Sequence, residues 1–165
     1  MKKLLIVTVI LLAVSELKAQ DLTKFNLYKP KEDATAAIAD AVKEAKEKGR
    51  HVFIQVGGNW CIWCARFNNF ITEDAAIRSY VDSNYVVYHL NYSPDNRNSE
   101  VLAKYGFPQR FGFPVFLILN EEGELIHTEN SAYLEEAKSY NKLKVIDFLK
   151  NWVKAAFDPS QYKEQ

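Results

Sequence analysis

Cys61 and Cys64, the only cysteines of the chain, stand two residues apart in the stretch GGNWCIWCARF, residues 57–67. Three chemistries suit such a pair. A structural zinc site needs four ligands, usually two such pairs or one pair with two spaced histidines. His51, His89 and His127 form no ligand-spaced pair, so no metal is expected. A purely structural staple would close a very short loop, and short loops gain least from cross-linking. Thiol–disulfide exchange fits best. If Cys61 opens a helix, its sulfur meets unpaired backbone N–H groups and the positive end of the helix dipole. Both stabilise the thiolate, which is the attacking species. Lowering a thiol pKa from about 8.5 to about 7 raises the ionised share at neutral pH from a few per cent to about half. Cys64 lies one turn further in, on the same face and less exposed. Cys61 is therefore the expected nucleophile and Cys64 the expected resolving thiol, with no cofactor required.

The elements that must position the pair follow from periodicity. Residues 20–32 read as an extended arm or edge strand. A helix follows, with Asp33 as N-cap, Ala37, Ile38, Ala41, Val42 and Ala45 on one stripe, and Gly49 as its stop. Residues 51–56, HVFIQV, form a buried strand ended by Gly57 and Gly58. The helical pattern returns at Cys61 with Phe67, Phe70 and Ile71 and continues through an acidic restart at 72–74. Residues 84–92, NYVVYHLNY, are the next strand. Then come a polar loop, a short helix over 99–105 and a Gly/Pro-punctuated crossing over 106–114. A hairpin spans 115–127, and 128–141 reads as irregular or partly helical. The closing amphipathic helix, 142–157, carries Leu143, Ile146, Phe148, Leu149, Trp152 and Val153 as its apolar positions. This order predicts an α/β fold: a central mixed sheet of parallel strands plus a C-terminal antiparallel hairpin, with helices on both faces.

Lys2 and Lys3 precede an apolar run over residues 4–14. Such a run suits a signal-peptide core and is too short to span a bilayer. Residues 1–19 are therefore the expected signal peptide, with cleavage after Ala19 or, alternatively, Ser15. The expected domain is 33–157, followed by a short tail, 158–165, and no membrane span remains once the leader is removed. Basic and acidic residues number 21 each, and loss of the leader leaves a slightly negative chain. No basic field argues for nucleic acid.

On these residues the chain resembles the thioredoxin superfamily. Trp60-Cys61-Ile62-Trp63-Cys64 matches its Trp-Cys-x-x-Cys motif after a buried strand. YGFPQRFGFPVFLILNEEGE, from Tyr105, is similar to its Tyr-Gly, Gly-x-Pro, strand, turn and strand segment. AVKEAKEKGRHVFIQVGGNWCIWC is similar to exported bacterial thioredoxin-like proteins of the disulfide-interchange type. The resemblance implies a thioredoxin fold and a monomeric, periplasmic protein that exchanges disulfides with protein or peptide substrates. A membrane or soluble thiol carrier would supply electrons. It also places Pro114 at the family's cis-proline. A cis bond there would expose the backbone of Phe113 to an extended substrate; the alternative is a trans proline opening a strand.

The chain departs from that family at several points. The buried acid common on the strand before the motif is here Gln55, and an amide cannot act as a base. The nearby family lysine aligns with His89, either a proton acceptor for Cys64 or a histidine satisfied at the core edge. Ile62-Trp63 replaces the common Gly-Pro and lacks the histidine of strong oxidants, which points to the reducing half of the family's range. Trp60 is expected beside the active site. Phe107, Phe111 and Phe113, with Trp60 and Trp63, either form an apolar rim for unfolded polypeptides or seal the crossing. The competing class is a non-catalytic binding or chaperone module that uses the groove near Pro114.

Overall fold

The computed structural model describes residues 25–163; the expected signal peptide and the start of the arm lie outside the described residues. Helix α1, Ala34–Lys48, begins where the Asp33 carboxylate accepts hydrogen bonds from the backbone N–H groups of Thr35 and Ala36. It ends at Gly49, whose φ of 63° is a left-handed conformation that costs glycine little. Its buried stripe is Ala34, Ile38, Ala41 and Ala45, small enough for the helix to lie close against the sheet.

Strand β1, His51–Gly57, is buried along its whole length. Strand β2, Tyr85–Asn91, pairs with it in parallel, and β3, Val115–Leu119, pairs with its other edge antiparallel. Strand β4, Leu125–Asn130, completes a sheet of order β2-β1-β3-β4. Two apolar layers cover its faces. One joins α1 and the short helix α4, Ser99–Lys104, to Val52, Ile54, Val56, Leu90 and Leu117. The other joins helices α2, Ile62–Glu73, α3, Ala75–Asn84, and α5, Lys142–Asn151, to Phe53, Tyr85, Phe116 and Ile118. The predicted mixed sheet with helices on both faces is the observed architecture.

Three local expectations are corrected. The helical pattern after Cys61 divides into α2 and α3. Asp74 stays extended and its carboxylate accepts from the N–H groups of Ala76 and Ile77, starting a new helix. Residues 128–141 are more ordered than their composition suggests. Strand β4 runs on to Asn130, a 3-10 turn follows at Ser131–Tyr133, and β5, Glu135–Glu136, pairs with β6, Ser139–Tyr140. The closing helix stops at Asn151, and Leu143 is 72% exposed while Val145 takes a core position. Asn141 caps this helix by accepting from the Lys144 N–H, and Val145, Phe148 and Leu149 face inward against the aromatic layer. Among the described residues no helix is long and apolar enough to cross a membrane.

Candidate active site

Strand order brings the site together. Strand β1 ends as β3 begins, with Val56 opposite Val115, and β2 ends beside them, with Asn91 opposite Gly57. The cysteine loop leaves β1, Phe113-Pro114 enters β3, and Tyr92 follows β2. Three segments distant in sequence therefore meet at one end of the sheet.

Cys61 is the N-cap of α2, in extended conformation, and its sulfur accepts a hydrogen bond from the Cys64 N–H at 3.2 Å. The two cysteines form a disulfide with Cα atoms 5.2 Å apart. Both cysteines are buried, Cys64 fully and Cys61 with 4% exposed. Among the described residues no group of three or more His, Cys, Asp or Glu side chains could hold a metal.

The loop before the pair requires two glycines for lack of space. A Cβ on Gly57 would fall on Cys64 Sγ and within 2.8 Å of Tyr28 Oη. A Cβ on Gly58 would fall on the Trp60 indole nitrogen and within 2.8 Å of the Tyr92 carbonyl. That indole N–H donates to the Tyr92 carbonyl at 2.8 Å, holding Trp60 across the loop while half its surface faces solvent. Phe113 packs edge-on against Trp60 at 5.5 Å, stacks on Tyr92 at 4.8 Å and leans on the cysteine cluster. The Phe113–Pro114 peptide bond is cis and Pro114 is buried. Phe107 and Phe111 are 56% and 40% exposed, so they do not seal the crossing.

Ile62 and Trp63 open α2, both half-buried. The Tyr140 hydroxyl donates to the Trp63 carbonyl at 3.2 Å, and the Arg66 guanidinium lies 4.5 Å over the Trp63 ring. The β5–β6 hairpin thus clamps the first turn of the helix. Neither Tyr140 nor Arg66 had a sequence signal pointing to the cysteines.

Gln55 lies beneath the pair, fully buried. Its amide nitrogen donates to the Tyr28 oxygen at 2.8 Å and to the Cys64 carbonyl at 3.2 Å. His89 stands beside Gln55 on the neighbouring strand. Its ring packs edge-on against Tyr28 at 5.5 Å, and burial pushes its pKa down to about 4, so it is neutral at physiological pH. Tyr28 itself was missed. The arm that carries it is pinned by Asn59, whose side-chain oxygen accepts from the Leu27 and Tyr28 N–H groups, both at 3.0 Å. The Asn59 amide donates back to the Tyr28 carbonyl at 2.9 Å. An aromatic in a polar arm carries no periodic signal. The available clue was Asn59, a hydrogen-bonding side chain inside the cysteine loop.

The family model of the thioredoxin-like domain matches residues 38–154. No curated protein matches the chain significantly. Among solved structures, a disulphide isomerase from Xylella fastidiosa Temecula1 superposes with a TM-score of 0.66 at 22% identity, over 76% of this chain and 96% of that one. The oxidised C-terminal domain of Neisseria meningitidis DsbD gives 0.51 at 19%, over 72% and 95%. A thioredoxin from Thermus thermophilus gives 0.51 at 18%, over 86% and 99%. With its sheet order, helix layers and cysteine pair at the head of α2, the chain belongs to the thioredoxin-like domain family.

Proposed function

We propose that this chain is an exported, periplasmic thiol–disulfide oxidoreductase that acts as a monomer, chiefly to reduce protein disulfides. The observation that carries the reading is the Cys61–Cys64 disulfide at the start of α2, with the Cys61 sulfur accepting a backbone N–H bond. That bond and the helix dipole favour the thiolate over the thiol once the pair is reduced. The Cys61 thiolate attacks one sulfur of a substrate disulfide. That bond breaks, and the departing sulfur leaves as a thiolate and takes a proton from water. Cys64 then loses its proton to water, and its thiolate attacks Cys61, releasing the second substrate sulfur as a thiolate and closing the internal disulfide. The substrate has gained two electrons and the Cys61–Cys64 pair has lost two; a dithiol carrier, membrane-bound or soluble, restores them.

Phe113, beside Pro114 and packed against Trp60 and the cysteine cluster, lies where an extended substrate could pair its backbone. The half-exposed Trp60 offers such a substrate an apolar contact. Export rests on the basic-then-apolar order of residues 2–14, and 33–157 is the functional unit on this reading. The reducing direction rests on Ile62-Trp63, which places no histidine between the sulfurs. Disulfide exchange also accords with the similarity to the disulphide isomerase from Xylella fastidiosa Temecula1.

The test is insulin reduction driven by a dithiol. Cys61→Ser should fall to the uncatalysed background, while Cys64→Ser should accumulate a mixed disulfide with its client through Cys61. A Cys61→Ser protein that still held and released clients would favour a binding module. A reduction potential more oxidising than about −180 mV, the value of protein disulfide isomerase, would reverse the assigned direction.

A further inference from the structure

Among the buried polar groups that the mechanism proposed above does not use is the Tyr28 hydroxyl. Tyr28 is 1% exposed, comes from the arm outside the residues matched by the family model, and is packed in one cluster with Cys61 and Cys64. The Gln55 amide fixes how its hydroxyl is used. The Cys64 carbonyl can only accept, so the amide nitrogen must face it, and that same nitrogen donates to the Tyr28 oxygen. The phenol is thereby an acceptor toward Gln55, and its own proton points elsewhere. The space left by the missing Cβ of Gly57 is bordered by both Cys64 Sγ and Tyr28 Oη. A sulfur that gains charge at Cys64 gains it beside this hydroxyl.

We infer that Tyr28 donates a hydrogen bond to the Cys64 sulfur whenever that sulfur becomes a thiolate, and so assists both opening and closing of the Cys61–Cys64 disulfide. In opening, an incoming thiolate bonds to Cys61 Sγ, the Cys61–Cys64 bond breaks, and its electron pair stays on Cys64 Sγ. In closing, the Cys64 thiolate gives that pair to Cys61 as the substrate sulfur departs. Tyr28 transfers no proton in either direction. Burial raises its pKa well above the ordinary tyrosine value, so the phenol stays protonated and acts as a donor. His89 is the titratable ring packed against it, and it is neutral at physiological pH. Where many relatives place a carboxylate that accepts a proton, this chain uses a phenol that stabilises the charge.

This role rests on the oxidoreductase reading, and the two can fail separately. In a Cys61→Ser background, the Cys64 thiol is titrated by its ultraviolet thiolate absorbance, with and without Tyr28→Phe. The substitution keeps the ring and removes only the hydroxyl. The Cys64 pKa should rise by about one pH unit, the size of one charge-assisted hydrogen bond. In the full Cys61–Cys64 protein, Tyr28→Phe should slow disulfide opening by dithiothreitol by roughly tenfold. Asn59→Ala, which unpins the arm, should act in the same direction. An unchanged Cys64 pKa and opening rate in a folded Tyr28→Phe protein would overturn the role of Tyr28. If instead the Cys64 pKa shifts as expected but the wild-type protein reduces no insulin, Tyr28 keeps its role and the oxidoreductase reading fails.

Discussion

The two faces of the central sheet are built from different materials. The face under α1 and α4 is mainly aliphatic: Ala34, Ile38, Ala41, Ala45, Val52, Ile54, Val56, Leu90 and Leu117, with Tyr105 as a buried aromatic among them. The face under α2, α3 and α5 is aromatic, with Phe53, Phe67, Tyr85, Phe116, Tyr140 and Phe148 in mutual contact. Strand β1 serves both, because alternate side chains point to opposite faces. On the aromatic face its row runs His51, Phe53, Gln55, polar at each end. His51 bonds to the Trp152 carbonyl at 2.8 Å, and Gln55 reaches Tyr28 and Cys64. The aliphatic face anchors the sheet and meets the site at its margin, through Tyr92 and Phe113. The aromatic face reaches the site, since Phe67 in α2 packs against Phe116 at 4.2 Å and edge-on against Tyr140 at 5.0 Å, and the Tyr140 hydroxyl holds the Trp63 carbonyl. Stiff rings with hydroxyl tips can pack and orient at once.

The strongest way to break this comparison uses adjacent residues of β3 that point to opposite faces. Phe116→Ala should destabilise by about 3–5 kcal/mol and Leu117→Ala by about 2–5 kcal/mol, both measured by urea unfolding. Only the first should also lower disulfide exchange per folded molecule, because it removes the ring against Phe67. Equal losses of activity in the two variants would show that the faces do not differ in this way.

A smaller effect separates the sheet end near Gln55 from the apolar interior. His89 has a folded pKa of about 4 because burial disfavours its charge, against about 6.5 in an unfolded chain. The unfolded state therefore takes up the proton first. The His89 contribution is intact above about pH 6.5 and is lost as pH falls toward 4. Lys29, Glu32, Asp40 and Glu44 line the same groove as His89, so the comparison is between wild type and His89→Gln. Acidification from neutral pH to about 4.5 should cost the wild type roughly 2 kcal/mol more than the variant. Equal slopes would remove His89 as the cause.

The smallest expected effect lies outside both layers. Leu143 is apolar on α5 but faces solvent, so Leu143→Ala should change stability by less than about 0.5 kcal/mol. A larger loss would mean that the aromatic layer extends further than its contacts indicate.

Much of the fold was legible because its signals are local. Asp33 and Gly49 bracket α1, the β-branched run 51–56 has one compatible state, and Cys61 follows directly where a helix can begin. The split at Asp74 was less visible, since a carboxylate that restarts a helix resembles an acidic residue within one. Leu143 and Val145 were misread because both lie at the start of α5, where either can fit an apolar stripe by spacing alone. Packing against the Phe53 and Phe116 layer decides which residues of that apolar run face inward. The β5–β6 hairpin has two residues per strand, too few for a period to register.

By itself the sequence determined where the cysteine pair stands and its order along the helix. Two cysteines at helical spacing behind a buried strand give one sulfur at the helix start and one behind it, and backbone geometry fixes that order locally. It also determined the alternation that sends Phe53 and Gln55 to the face opposite Ile54. Tertiary structure decided what surrounds the sulfurs. Tyr28, Tyr92 and Tyr140 come from an arm, a strand end and a hairpin separated from the motif by tens of residues, and no local pattern marks them. Long-range strand pairing and the close approach permitted at Gly57 bring them to the cysteines, because hydrogen bonds and ring contacts act through space and not along the chain.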